Sequence, residues 1–145
     1  MVFISITRLR VRSLRFMPQF VVHTLRSMRQ AKRAGGYFGG ALLADRRLTF
    51  WTMTLWRDQE EMRRYMTSGA HLRTMPKLLD WCDEASVVHW VQDGLTAPDW
   101  LEAARRMRAD GRASKVRHPS PDHRELTFPA PRTTRFLAID PVRPA

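Results

Sequence analysis

Apolar and polar residues first alternate with the period of a strand. Ile4 and Ile6 interleave with Phe3 and Ser5, then Leu9 and Val11 with arginines, so Val2–Val11 reads as a β-strand. The period then lengthens. Met17, Val21, Thr24 and Met28, widened by Phe20 and Leu25, form one stripe and predict a helix from about Leu14 to Ala34. Pro18 fits its first turn and Gly35-Gly36 ends it. Tyr37–Ala44 reads as a second strand, with Gly39-Gly40 marking a bulge or a close backbone approach. A turn at Asp45-Arg46-Arg47 leads to a third strand, Leu48–Trp56. Phe50, Thr52, Thr54 and Trp56 share one of its faces; Trp51, Met53 and Leu55 share the other.

Asp58 with Glu61 three residues on opens the next helix, whose stripe is Met62, Tyr65 and Met66. Ser68-Gly69 interrupts it. A further helical piece is expected from about His71 to Cys82, with Pro76 near its start and His71, Met75, Leu78 or Leu79, and Cys82 on one face. A fourth strand follows at about Ser86–Val91, and a last helix opens at Thr96-Ala-Pro-Asp99 with Trp100, Ala104 and Met107 inward. Gly111–Pro131 is polar, Pro-rich and aperiodic, and reads as an extended arm; Thr133–Ile139 offers a late edge strand. The order is that of an α+β, ferredoxin-like split βαβ: a four-stranded antiparallel sheet with two helices on one face. Residues 1–95 form this domain, and 96–145 a C-terminal helix and extended arm packed on it. An apolar second sheet face calls for a cover, either a second sheet in a dimer or the C-terminal arm.

The composition is that of one globular domain, with no apolar run long enough to span a membrane. Cys82 is the only cysteine, so no intrachain disulfide or thiolate cluster forms, and a reducing cytoplasm fits. The net charge is +11. It is concentrated at the ends: residues 1–44 hold eight basic groups and no acid, while 45–95 are nearly balanced. Association with nucleic acid through the basic ends is the weaker reading. Arginine makes up 22 of the 25 basic residues, the mark of an Arg-rich composition, and no nucleic-acid motif accompanies the charge. Paired carboxylates and nucleotide-binding or hydrolase signatures are lacking too.

The stretch Phe50-Trp-Thr-Met-Thr-Leu-Trp-Arg-Asp-Gln-Glu-Glu-Met-Arg-Arg-Tyr-Met-Thr-Ser-Gly-Ala-His71, followed by Met75-Pro76 and Trp81, resembles the dimeric α/β barrels related to antibiotic-biosynthesis monooxygenases. It is most similar to their spheroidene-monooxygenase-like branch and its uncharacterised relatives. The resemblance spans roughly residues 2–92. It implies a ferredoxin-like protomer, a homodimer through the sheet faces, and a pocket between sheet and helices for a small apolar or aromatic molecule. It also implies either cofactor-free oxygenation or heme-assisted oxidation. A non-catalytic ligand-binding or protein-interaction member of the fold is the alternative.

His71 is the candidate catalytic residue, because an imidazole can move a proton near neutral pH or ligate heme iron. Heme-degrading relatives carry a helix histidine for that purpose, but also a strand asparagine, and this chain has no asparagine. Trp56, Trp81, Phe50, Met75 and His89 are the candidate substrate-binding residues. No site for another metal is expected. Arg8, Arg10 and Arg12 alternate on one strand face and read as a solvated edge rather than a pocket wall.

Overall fold

The computed structural model describes residues 1–142; the last three residues of the expected 96–145 arm lie outside it. The strands are β1 (Val2–Val11), β2 (Tyr37–Ala44), β3 (Thr49–Trp56), β4 (Cys82–Gln92), β5 (Arg112–Ala113) and β6 (Phe136–Ala138). The helices are α1 (Met17–Arg33), α2 (Gln59–Met66), α3 (Gly69–Trp81) and α4 (Trp100–Asp110). The strands form one antiparallel sheet in the order β5-β4-β1-β3-β2-β6. The sheet thus has six strands, not four. The four expected strands are its centre, and β5 and β6 flank them. β6 falls within the late edge strand expected at Thr133–Ile139, whereas β5, two residues long, is too short for a period-two pattern to mark it, and backbone pairing alone defines it.

Local chemistry explains most boundaries. Asp58 caps α2, its carboxylate accepting from the Glu61 N–H at 2.9 Å. The β2–β3 register shifts between Tyr37 and Gly39. There Gly39 sits at φ +139°, and a side chain on Gly40 would lie 2.1 Å from the Met53 carbonyl, so the close approach admits only glycine. Two expectations change. Pro76 lies well inside α3 rather than near its start. The fourth strand begins at Cys82, four residues early, because its acids have partners across the sheet. Glu84 accepts from Arg8 at 2.7 Å, and Asp83 accepts two bonds from Arg10 at 2.8 and 2.9 Å.

β1 is central, so Arg8 and Arg10 do not form a solvated edge. Arg8 is only 6% exposed. It stands on the sheet's outer face, 4.4 Å from the Phe128 ring and 5.8 Å from the Trp51 ring.

The outer face carries Val2, Ile4, Ile6, Trp51, Met53, Leu55 and Val88. It is closed by α4, through Trp100, Ala103, Ala104 and Met107, and by Phe128 of the arm. The arm is pinned as it crosses: Ser120 donates to Glu84 at 2.8 Å, and the Ala85 N–H donates to His123 Nδ1 at 3.2 Å. Of the two covers the sequence allowed, the chain supplies its own. α1, α2 and α3 lie on the other face, against Phe3, Leu9, Phe50 and Trp56.

Removing one partner of a buried ion pair strands the other charge. Glu84→Ala is therefore expected to destabilise the fold by about 3–5 kcal/mol, read as a lower urea midpoint. A loss below about 1 kcal/mol would show that Arg8 is solvated, as surface pairs are.

Candidate functional site

Between the helix-side face of the sheet and α1–α3 lies a cavity of about 600 Å³. Its floor follows from strand register. Ser5 pairs with Thr54 and His89, and Thr7 with Thr52 and Val87, so these side chains share one face across three central strands. The result is a patch of small hydroxyls on an otherwise apolar surface. The roof is Phe20, Thr24, Met28 and Ala31 of α1, with Met62, Tyr65 and Met66 of α2. α3 contributes His71, Thr74, Met75 and Leu79, and Ile139 of the C-terminal segment closes part of the wall. The exposed lining residues are Met75 and Pro76 of α3 and, facing them, Arg112, Ala113 and Lys115. The opening therefore lies between α3 and β5.

His71 is fixed from two sides. Its backbone N–H donates to Gln30 Oε1 at 2.9 Å, and its Nδ1 lies 3.2 Å from the Met66 carbonyl. A carbonyl only accepts, so Nδ1 carries the proton and Nε2 keeps its lone pair. The imidazole packs 4.6 Å from the Tyr65 ring, and burial holds its pKa below the ordinary value. Gln30 also donates to the Tyr65 and Ser68 carbonyls at 3.0 and 2.8 Å, so one α1 side chain ties down the break between α2 and α3.

His89 stands on the floor, 5.2 Å from the Phe3 ring. Burial lowers its pKa, and the charges of Arg112 and Arg63 add to this. Its Nε2 is buried with no hydrogen-bond partner among the described residues. Two neutral imidazoles thus line one apolar chamber, one with a free lone pair and one with an unmatched ring nitrogen.

The sequence-predicted residues divide. His71, Met75 and His89 line the cavity. Trp56, Trp81 and Phe50 stand behind the wall. Trp56 is fully buried, stacked on Tyr65 at 5.2 Å; Trp81 packs with Phe20 and Cys82; Phe50 lies 5.0 Å from Phe20. The Cys82 thiol is pushed up to about 12, chiefly by burial, and is inert. Sequence reasoning missed the hydroxyl floor, Tyr65, Gln30, Arg112 and Lys115. The floor had a signal: Ser5, Thr7, Thr52 and Thr54 sit where apolar residues would be expected on central strands. Gln30 and the two cations had none.

The family profile for a domain of unknown function (DUF3291) matches residues 16–117. The chain belongs to the DUF3291 family. The matched span runs from the start of α1 past β5, so it includes α4, Arg112 and Lys115. No curated protein matches the chain. Among solved structures, SnoaB, a cofactor-independent oxygenase from Streptomyces nogalater, is 17% identical with a TM-score of 0.54, covering 68% of this chain and 98% of that one. A putative antibiotic biosynthesis monooxygenase from Nitrosomonas europaea is 15% identical with a TM-score of 0.58, covering 66% and 94%. Rv0793 from Mycobacterium tuberculosis is 9% identical with a TM-score of 0.60, covering 67% and 100%. These likenesses establish an antibiotic-biosynthesis-monooxygenase-like fold for about two thirds of the DUF3291 chain. Among its described residues no helix is long and apolar enough to cross a membrane, and no three metal-ligating side chains cluster.

Because His71 and His89 have lowered folded pKa values, the unfolded chain takes up protons first as the pH falls below about 6.5. Their contribution to stability is full above that pH and is lost as the pH drops toward the folded values. Thermal melts should show Tm falling between about pH 7.5 and pH 5.5, with a smaller fall in a His71→Gln/His89→Gln variant. An identical fall in both proteins would mean that the two imidazoles are not held neutral.

Proposed function

We propose that this protein is an oxygenase-type enzyme whose substrate is a small, largely apolar aromatic molecule held in the chamber between sheet and helices. The observation that carries the reading is the neutral His71, with its Nε2 lone pair left free in a mostly apolar cavity. Such a nitrogen suits a general base. It would take a proton from a phenol or an activated C–H of the bound substrate, leaving an electron-rich anion. That anion can reduce molecular oxygen without a cofactor. One oxygen atom stays on the substrate carbon and the other leaves as water with two substrate hydrogens. Exclusion of bulk water by the apolar walls would protect the reactive species, and the floor hydroxyls would orient the substrate's oxygens. The oxygenase named among the structural neighbours supports the reading by fold. The spheroidene-monooxygenase-like branch remains the proposed affiliation within it.

Heme-assisted oxidation is the second reading, favoured by one contact. An imidazole that donates Nδ1–H to a carbonyl is oriented as metal-bound histidines are. His71 would then hold the iron, and Arg112 and Lys115 would face the propionates. Bound there, heme would supply oxygen activation. A homodimer through the sheet faces would have to displace α4 and the arm, so any dimer is proposed to use another surface.

Oxygen uptake with electron-rich polycyclic phenols and no added cofactor tests the first reading. Uptake by the wild type, falling about 100-fold or more in His71→Ala, is expected for a general base. A heme titration with Soret detection tests the second: a saturable shift lost in His71→Ala supports it. Absence of both oxygen uptake and a Soret shift would leave the fold's non-catalytic, ligand-binding role.

A further inference from the structure

We propose that the chamber's ligand is an aromatic anion, its ring system in the cavity and its carboxylate at the mouth between Arg112 and Lys115. This deepens the reading above and rests on the chamber being a ligand site.

Three observations support it. The first is sign. Arg112 and Lys115 are the only Lys or Arg residues lining the cavity, and no Asp or Glu lines it among the described residues. The second is aim. Arg112 pairs in register with Val87, whose side chain lies on the cavity face with Thr7. Paired residues point to the same side of a sheet, so Arg112 is directed along the cavity face. It is also near enough to His89 for its charge to bear on that imidazole. The third is vacancy of partners. Among the described residues neither Arg112 nor Lys115 pairs with an acid, unlike Arg8 and Arg10 on the outer face, and, unlike the other unpaired cations such as Arg26 and Arg29, these two line the cavity. Both sit at the open end, where a carboxylate stays partly hydrated while the rings are desolvated.

The backbone holds this mouth in place. The Ser114 N–H donates to the Ala85 carbonyl at 2.8 Å and the Arg117 N–H to the Leu79 carbonyl at 2.9 Å, so the segment bridges β4 and α3. The cations thus sit on a tethered rim, not on a free loop.

A matched pair of fluorescent probes isolates the charge. 1-Anilinonaphthalene-8-sulfonate and N-phenyl-1-naphthylamine share one ring system, and only the first is an anion. The full chain is titrated with each, as are Arg112→Ala/Lys115→Ala and the control Arg26→Ala/Arg29→Ala, which removes the same charge from the exposed side of α1. The anionic probe should bind the wild type about three- to fivefold tighter than the neutral one, the preference a partly exposed ion pair supplies. That preference should vanish in Arg112→Ala/Lys115→Ala, with neutral-probe affinity unchanged, and persist in the control. Equal binding of both probes to the wild type, or equal losses in the two variants, would overturn the anion proposal while leaving the chamber as a ligand site. If neither probe binds, both the proposal and the function built on the chamber fall.

Discussion

A sheet that is apolar on both faces has to be covered on both, and the whole molecule follows from how this one is. β1 and β3 present Ile4, Ile6, Trp51, Met53 and Leu55 to one side and Phe3, Leu9, Phe50 and Trp56 to the other. Burying large side chains on two faces brings in more apolar surface than three helices can cover. The chain answers with its last third. α4 supplies a flat, small-residue contact through Ala103 and Ala104, and the arm carries Phe128 over Trp51. Arg8 lies in the middle of this seam, with Glu84 as its ion partner and Phe128 above it. That pair fixes the path of the arm, because Ser120 hydrogen-bonds the same Glu84.

The consequence for function is a division of labour. The outer face is packed tightly enough for Ile4, Ile6 and Met107 to be wholly buried. The helix-side face is not filled: short hydroxyl residues replace bulky ones at Ser5, Thr7, Thr52 and Thr54, and the helices rest on the sheet's ends rather than its centre. Space is thus left over the central strands, which are paired on both sides, and a ligand can be oriented there on regular backbone. The C-terminal segment serves both faces, since after crossing the outer one it returns Ile139 to the chamber wall, held by the Tyr37 hydroxyl at 2.6 Å from its carbonyl.

Much of this was legible in the residues. The four central strands, α1, α2 and α4 follow from periodicity and caps, and Asp58 caps where its spacing to Glu61 says it should. The misses have physical causes. Val21 and Leu25 look like the core stripe of α1 yet are exposed, because Phe20, Thr24 and Ala31 face the chamber and its roof need not be continuously apolar. Asp83 and Glu84 read as loop residues because their partners, Arg10 and Arg8, lie more than seventy positions away. The candidate site was visible as a histidine after a Ser-Gly break. Its tautomer was not, since that depends on the Met66 carbonyl. The tryptophans drew attention by size, but large aromatics fill cores more often than they line cavities, and Trp56 and Trp81 do so here.

If α4 and the arm are the cover of the outer face, they must open together with the sheet they protect. Amide hydrogen exchange on the intact chain tests this most directly. Protection of α4 and of the backbone around Ser120–Phe128 that is lost together with that of β1 would show one cooperative unit, as the account predicts. Rapid exchange in α4 beside a protected β1 would mean that something else, such as a second copy of the sheet, covers that face, and would contradict it.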